Sequence, residues 1–178
     1  MQRMSGIATN TSRYVKAVEG TNTKILDTRK TTPGLRYFEK WAVRIGGGHN
    51  HRFGLYDMVM LKDNHNDFAG GIPQAIAKTK QYLIDNNKDL KIIVEARNLD
   101  EVQQILDSGG VYRILLDNFD YETTKKAVAM IGNQSLTESS GNINEKTIRH
   151  YAECGVNYIS SGALTHSVYN LDLSLKAI

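Results

Sequence analysis

The sequence predicts an α/β protein, and within that class an incomplete β/α barrel of the TIM type with about six to seven parallel strands. Short apolar runs alternate with segments of helical periodicity at roughly 20 to 30 residues per unit, the pattern of parallel strands joined by crossover helices. Polar residues lie at the ends of several different runs. The 178 residues suit one domain with a sizeable core, which we take to span residues 1–178.

A doubly wound open sheet would show the same alternation, and the positions of the polar residues distinguish the two folds. A barrel brings all of its strand ends to one mouth, whereas an open sheet brings together only those near its switch point. Six runs contribute, which favours a barrel, although a complete barrel has eight strands. The polar residues and glycine at or just past the run ends are Asp27, Lys62, Glu95, Asp117, Ser139, Ser140 and Gly162.

The apolar runs and the periodic segments give the predicted elements. The strands are Lys24–Asp27, Met58–Leu61, Ile92–Glu95, Arg113–Asp117, Ser135–Glu138 and Tyr158–Ser161. The helices are Ile72–Ile84, Asn98–Ser108, Tyr121–Ile131 and Asn144–Cys154.

Two of these helices carry end signals. Asn98, with Glu101 three residues on, predicts a capping box, and Gly155 is a stop signal for the last helix. Each also has one apolar face for the core. These faces consist of Val102, Ile105 and Leu106 in one helix, and of Ile148, Tyr151 and Ala152 in the other.

The composition excludes several classes of protein. Apolar residues make up 40% and charged residues 23%, with a formal net charge of +3, so we expect no nucleic-acid partner. No run approaches the roughly 18 apolar residues of a membrane span, and no signal peptide is visible. The single cysteine, Cys154, excludes an internal disulfide and is expected to be a small buried side chain near a helix end. We therefore expect a cytoplasmic protein without a membrane association.

Five basic residues follow the first two predicted strands. Arg29 and Lys30 follow the first, His51 and Arg52 lie in "GGGHNHR", and Lys62 follows the second. Taken singly, each is compatible with a solvated surface charge. Two unit charges about 4 Å apart repel by about 4 kcal/mol at an effective dielectric near 20. A cluster of this kind at one barrel mouth therefore indicates a multiply charged anionic substrate.

Two acidic residues end predicted strands of continuous apolar character. Glu95 lies in "IIVEAR" and Asp117 in "ILLDNF". One interpretation is an ion pair with the basic cluster. The other is a functional pair that holds sugar hydroxyls, a developing positive charge, or a divalent cation with its waters.

Two glycine-containing turns follow the last two predicted strands, in "ESSGNIN" and "SSGALTHS". Gly141 and Gly162 there allow backbone N–H groups to meet an oxyanion, as in many barrel phosphate sites. His166 either touches the phosphate or orients a neighbour, or else is structural. The "GGGHNHR" segment lacks the Lys-Ser/Thr ending of a P-loop, and His49 and His51 have no third ligand at the spacing of a zinc site.

With these residues in place, the sequence resembles the quinolinate phosphoribosyltransferase family, the carboxylating nicotinate-nucleotide pyrophosphorylases. The resemblance covers nearly the whole chain. It implies a pentosyltransferase that moves phosphoribosyl from phosphoribosyl pyrophosphate to quinolinate with loss of CO₂, gives nicotinate mononucleotide and pyrophosphate for NAD biosynthesis, and requires Mg²⁺. The segments that carry it are "DTRKTTPGLR", "GGGHNHRFGLYDMVMLKDNH", "ILLDNF", "ESSG" and "GALTHS".

The resemblance also implies roles for individual residues. Lys30, Lys62, Glu95 and Asp117 are the implied catalytic residues, and Glu95 and Asp117 are implied to hold Mg²⁺ directly or through water or substrate. The implied substrate-binding residues are Thr28, Arg29, Lys30, His51, Arg52, Lys62, Glu95, Asp117, Ser140, Gly141, Asn142, Gly162, Ala163, Leu164 and His166.

This chain departs from the family in ways that set further expectations. Family members carry an additional N-terminal domain that caps the barrel of a partner in a homodimer, and a further arginine before "QRMSGIAT". We expect this chain to be a barrel alone that binds or turns over substrate poorly by itself, with apolar surface that favours aggregation or altered association. Asn142 stands where the family has a second glycine, and Ser161 where it has a small apolar residue.

Two alternatives to quinolinate transfer remain open on the sequence. A relative that acts on another acid, such as the transferase-like proteins of molybdate transport loci, would share the barrel. "TRKTTPG" and "NHR" together with Lys62 favour a dicarboxylate instead. A non-catalytic phosphosugar-binding barrel is the second alternative.

Overall fold

Six strands and eight helices make up the chain in the computed structural model, which describes residues 1–178. The strands are β1 (Lys24–Leu26), β2 (Val59–Leu61), β3 (Ile92–Ala96), β4 (Arg113–Asp117), β5 (Leu136–Ser140) and β6 (Tyr158–Ser160). The helices are α1 (Gln2–Ala17), α2 (Arg36–Ile45), α3 (Asp63–Ala69), α4 (Ile72–Asp85), α5 (Leu99–Ser108), α6 (Tyr121–Ile131), α7 (Ile148–Glu153) and α8 (Ala163–His166).

The strand order identifies the fold as an incomplete barrel. The strands form one sheet in the order β1-β6-β5-β4-β3-β2, and every pairing is parallel. From β2 to β6 the order follows the chain without reversing, and β1 then pairs with β6. A doubly wound sheet would reverse at a switch point, so the barrel prediction is confirmed. The ring stays open between β2 and β1, where His49 makes a single parallel bridge to Leu26.

Strand β5 differs most from its prediction. It runs from Leu136 to Ser140, so it starts later and continues through the polar residues at which the predicted strand ended. Parallel strands of a barrel are buried on both faces, and polar side chains there need partners rather than solvent. Ser139 is consequently 1% exposed inside the strand and does not reach the mouth, contrary to the prediction.

The four predicted helices are present as α4, α5, α6 and α7. One of the two hydrogen bonds of the predicted capping box is present: the Asn98 side chain accepts from the backbone N–H of Glu101 at 2.9 Å. The Glu101 carboxylate accepts instead from the backbone N–H of Arg97, at 2.7 Å. Helix α7 begins later than predicted, at Ile148, because Asn144 forms a separate turn with Thr147. Gly155 follows its end at φ 89°, as its stop signal predicted, and Cys154 is buried as expected.

Four helices were not predicted: α1, α2, α3 and α8. Helix α1 packs against the barrel through a face in which small and polar residues interrupt the apolar stripe of an ordinary amphipathic helix. Its buried residues are Gly6, Ile7, Thr11 and Tyr14. None of the eight helices combines the length and the apolar character that crossing a bilayer requires.

Helix α2 presents an aromatic surface to solvent. Tyr37, Phe38, Trp41 and Ile45, which we call the α2 face, are all exposed, from 47% for Phe38 to 64% for Tyr37. The rings of Tyr37 and Phe38 pack edge to face with centroids 5.6 Å apart. Soluble monomers seldom expose apolar side chains in such a contiguous group.

Candidate active site

A cavity of about 900 Å³ opens at the carboxyl ends of the strands. Residues at or just past the carboxyl end of each of the six strands line it, as expected of a barrel mouth. Fourteen of the fifteen predicted site residues border this one cavity. They are Thr28, Arg29, Lys30, His51, Arg52, Lys62, Glu95, Asp117, Ser140, Gly141, Asn142, Gly162, Ala163 and His166.

Leu164 is the predicted site residue that does not border the cavity. Its side chain is 0% exposed and belongs to the hydrophobic core. The side chain of Leu164 therefore packs inward, and a contribution of this residue to the site through its backbone stays a prediction. Its neighbours Gly162 and Ala163 do border the cavity.

Three of the cations have no carboxylate partner. Arg29, Lys30 and Arg52 form no salt bridge, and the Nε atom of Arg29 is buried without a hydrogen-bond partner. Arg52 donates to the carbonyl of Met58 at 3.1 Å. Burial lowers the pKa of Arg52, and the charge of Arg29 lowers it further. This side of the cavity, the cationic wall, therefore has positive charge available for an anion.

The opposite side carries acidic residues, one of which is paired. The Lys62 ammonium lies 2.9 Å from the Glu95 carboxylate, so the ion-pair interpretation holds for this pair in the absence of ligand. Asp117 instead accepts from the hydroxyl of Ser140 at 2.9 Å and from the side-chain amide of Asn118 at 2.8 Å. These two bonds fix the Asp117 carboxylate, which forms no salt bridge with a cation.

Asp27 lies beneath the cationic wall rather than at the mouth, where the sequence placed it. It is 0% exposed and is bound by the Lys40 ammonium at 2.5 Å and by the backbone N–H of His51 at 2.9 Å. Burial raises the pKa of Asp27, while the charge of Lys40 acts in the opposite direction. Asn50 completes the network. Asp27 therefore anchors the segment that carries His51 and Arg52.

Glu138 is a site residue that the sequence analysis did not single out. It is 0% exposed at the cavity floor, bound by Arg113 at 2.6 Å, with His51 Nε2 at 3.4 Å. Burial alone would raise the pKa of Glu138, but the contacts with His51 and Arg113 outweigh it and bring the pKa to about 2. A charged residue between Thr137 and Ser139 inside a buried strand was the available signal.

The turn after β5 has left-handed backbone angles at two successive residues. Gly141 and Asn142 both have positive φ, at 93° and 50°, and Asn118 beside them has φ 55°. A side chain at Gly141 would collide with that of Asn118 and come within 2.9 Å of its backbone nitrogen. Asn142 thus adopts the left-handed conformation that a glycine would, as its chemistry allows.

The turn after β6 is closed over by a histidine. A Cβ atom at Gly162 would lie 2.8 Å from His166 Nε2 and 3.1 Å from Lys30 Cδ, so both side chains pass close to this backbone. His166 Nδ1 lies 2.7 Å from the Ser167 hydroxyl. Ser161, buried at 5% exposure, donates to the carbonyl of Ile143 at 3.2 Å and joins the two turns.

The acidic residues do not form a self-sufficient metal site. No group of three or more His, Cys, Asp or Glu side chains is arranged to hold a metal ion. Mg²⁺ is commonly held by one or two carboxylates together with waters and substrate phosphates. Glu95 and Asp117 fit that indirect mode, and they do not fit a cage made by the protein alone.

A parallel barrel whose mouth gathers cations, carboxylates and glycine turns defines the class: β/α-barrel proteins with a polar site at the carboxyl ends of the strands. Within that class, residues 7–176 match the family model described as quinolinate phosphoribosyl transferase, C-terminal domain. The chain belongs to this family.

Known relatives agree with this assignment. A mitochondrial quinolinate phosphoribosyltransferase (decarboxylating) 2b of Nicotiana tabacum is 48% identical over 99% of this chain and 54% of that protein. A probable nicotinate-nucleotide pyrophosphorylase (carboxylating) of Bacillus subtilis is 43% identical over 98% of this chain and 59% of that protein. The crystal structure of NadC from Streptococcus pyogenes superposes with a TM-score of 0.92 at 44% identity, covering 99% of this chain and 60% of that one. The chain thus spans about half the length of its curated plant relatives.

Proposed function

We propose that this chain forms the transfer site of a quinolinate phosphoribosyltransferase. The reaction joins the phosphoribosyl group of phosphoribosyl pyrophosphate to quinolinate and yields nicotinate mononucleotide, CO₂ and pyrophosphate. The observation that carries the proposal is the polarity of one cavity: the unpaired Arg29, Lys30 and Arg52 on one wall, and Glu95 and Asp117 on the other. The names of the relatives support quinolinate over another acid.

The cationic wall suits the acid substrate. Quinolinate carries two carboxylates on adjacent ring carbons, and a guanidinium can hold a carboxylate through two parallel hydrogen bonds. Arg29 and Arg52 would each hold a carboxylate in this way, while Lys30 adds a compact charge. The mutual repulsion that lowers the pKa of Arg52 is relieved when a dianion binds between them.

The acidic side suits the ribose. As the quinolinate nitrogen attacks C1′ of the ribose, the bond from C1′ to the pyrophosphate oxygen breaks, and positive charge develops on the ring. Asp117, held by Ser140 and Asn118, and Glu95 would stabilise that charge, because fixed charges in a water-poor site act without reorganising. The pyrophosphate leaves toward Lys62, which then exchanges its contact with Glu95 for one with the leaving group.

The glycine turns suit the 5′-phosphate. Ser140, Gly141 and Asn142 on one turn and Gly162 and Ala163 on the other border the cavity at its β5–β6 side. Backbone N–H groups in consecutive turn conformations form concave anion sites. His166 lies over the second turn and would contact the phosphate from its open side.

The cofactor, the partners and the location complete the proposal. When bound, Mg²⁺ would neutralise the pyrophosphate, with Glu95 and Asp117 holding it through waters or substrate oxygens. The partner in the proposal is a second copy of the protein, and the exposed apolar side chains of the α2 face are the observation in favour of it. A cytoplasmic location is also part of the proposal, although plant relatives carry mitochondrial and chloroplastic names.

Calorimetry of the 178-residue chain tests the proposal. We expect quinolinate to bind weakly, and Arg29→Ala to weaken its binding further by about tenfold or more, the size of one lost charge-assisted contact, with little change in thermal stability. The matched control is Arg13→Ala, since Arg13 is exposed on α1 and should leave binding unchanged.

Other outcomes would favour the alternatives. Binding of nicotinate in preference to quinolinate would indicate a relative that acts on another acid. Binding of phosphoribosyl pyrophosphate but not of quinolinate would indicate a binding module, if a protein extended to the full length of its relatives also formed no product. Equal losses of affinity and stability in Arg29→Ala would make that arginine structural.

A further inference from the structure

Glu138 has the surroundings of a residue that acts through a neighbour. Its side chain has no exposed surface although it borders the cavity, and its Oε1 atom has no hydrogen-bond partner. Arg113 binds its Oε2 atom at 2.6 Å, and the Arg113 guanidinium is itself stacked 4.1 Å from the ring centroid of Tyr158. A carboxylate held by a buried, stacked arginine has a fixed position and a fixed charge.

The neighbour is His51, whose ring is held from both sides. Its Nδ1 atom accepts a hydrogen bond from the backbone N–H of Arg52 at 2.7 Å, so Nδ1 carries no proton in this arrangement. In a neutral imidazole the proton then lies on Nε2. That atom faces Glu138 Oε2 at 3.4 Å, and Asp27 fixes the backbone of the same residue.

We propose that Glu138 is a positioning residue that holds His51, when its imidazole is neutral, in the Nε2–H tautomer and fixes the orientation of its ring. The distance of 3.4 Å is longer than an ordinary hydrogen bond, so the carboxylate acts as an orienting charge, and Nε2 is otherwise a buried atom without a partner. In the opposite tautomer, the Nδ1–H of His51 would point at the backbone N–H of Arg52. The lone pair of His51 Nε2 would then face the Glu138 carboxylate.

The consequence concerns how the cationic wall is built. Arg52 follows His51 directly, and its backbone N–H is the donor to the imidazole. Fixing the tautomer of His51 therefore also fixes the backbone from which the Arg52 guanidinium extends. This consequence rests on the proposed function, because it links Glu138 to quinolinate affinity, whereas the tautomer itself does not depend on any ligand.

Nuclear magnetic resonance of the histidine side chains tests the tautomer without a ligand. The chain has five histidines, and His51→Gln identifies the signals of His51 in a long-range ¹H–¹⁵N spectrum recorded on the alkaline side of its titration. We expect the Nε2–H pattern in the wild type and a mixed or reversed pattern in Glu138→Gln. The control is Glu101→Gln, which alters another buried carboxylate remote from His51 and should leave the pattern unchanged.

Two results would overturn the inference. One is an Nδ1–H pattern for His51 in the wild type, which needs no variant to fold. The other is an unchanged His51 pattern in folded Glu138→Gln.

Calorimetry adds the functional arm of the test. The Glu138→Gln variant should bind quinolinate about tenfold more weakly, which is the size of one lost contact. Its affinity for phosphoribosyl pyrophosphate should change little. An equal loss for both ligands would make Glu138 merely structural and would count against the inference. A wild-type chain with the Nε2–H pattern that fails to bind quinolinate would refute the proposed function instead.

Discussion

Arg29, Lys30 and Arg52 differ from Lys62 in having no carboxylate within ion-pairing distance, although all four border the same cavity. Residue type alone does not distinguish a cation that is available to a ligand from one that is already paired. The difference arises because Glu95 lies near the end of the strand that pairs with the one before Lys62. The buried carboxylate of Asp27, which follows the same strand as Arg29 and Lys30, is instead occupied by Lys40. The available charge is therefore concentrated on one side.

The acid stability of the chain should depend on Glu138. Its pKa in the folded chain is about 2, below the ordinary 4.5, so it stabilises the fold above the unfolded pKa, and that stability is lost as the pH falls through the folded pKa. We expect the difference in unfolding free energy between wild type and Glu138→Gln to shrink between pH 4.5 and 2, by on the order of 3 kcal/mol.

Urea unfolding at a series of pH values measures this difference. Glu122→Gln removes an exposed carboxylate on α6 and serves as the control, which should follow the wild type. A constant difference between wild type and Glu138→Gln over the whole range would contradict the prediction.

At the scale of elements, the turn after β5 depends on a glycine that has no room for a side chain. Gly141 and Gly70 share nearly the same φ, at 93° and 95°, but a Cβ at Gly70 would meet nothing within 4 Å. We expect Gly70→Ala to cost about 1–2 kcal/mol from the left-handed backbone alone. Gly141→Ala should cost a further 1–3 kcal/mol or so because it forces Asn118 to move.

The two glycine variants should also differ in ligand binding. Gly141→Ala displaces the turn proposed to hold the 5′-phosphate and should lower the affinity for phosphoribosyl pyrophosphate, while Gly70→Ala should not. Chemical unfolding and calorimetry on the same two samples supply the comparison. If both variants lost the same stability and the same affinity, the close approach of Asn118 to Gly141 would not contribute to either quantity, contrary to the prediction.

The elements that the sequence predicted well are those whose burial follows their apolar pattern. Strands β3 and β4 and helices α4 to α6 have continuous or periodic apolar residues, and their bounds came out nearly as predicted. Helix α1 buries Gly6 and Thr11, and β5 buries Thr137 and Glu138, so in both cases tertiary partners replace the apolar signal. The site was predictable because cations and glycines at strand ends converge in a barrel, whereas Glu138 lies inside a strand.

For the molecule as a whole, the α2 face should govern association. Trp41 is 51% exposed within this group of apolar side chains, and burying such a surface between copies is favourable by about 25 cal/mol per Å². We expect the sedimentation coefficient of the wild type to rise with concentration and Trp41→Glu to suppress that rise. Phe68→Glu is the control, because Phe68 is 90% exposed on α3, away from the α2 face. Equal behaviour of the two variants would exclude the α2 face as the contact.

The pairing of β1 with β6 ties the two ends of the chain together. The Thr23 hydroxyl donates to the carbonyl of Val156, 133 residues away, and the carbonyl of Lys30 accepts from Thr165, 135 residues away. Contacts of such sequence separation form late, because a long loop must close first. The loop that carries Arg29 and Lys30 is therefore fixed only after the last strand has docked. A nascent or partly unfolded chain has no complete binding site, so the substrates bind only the native state and act as folding ligands that stabilise it by mass action.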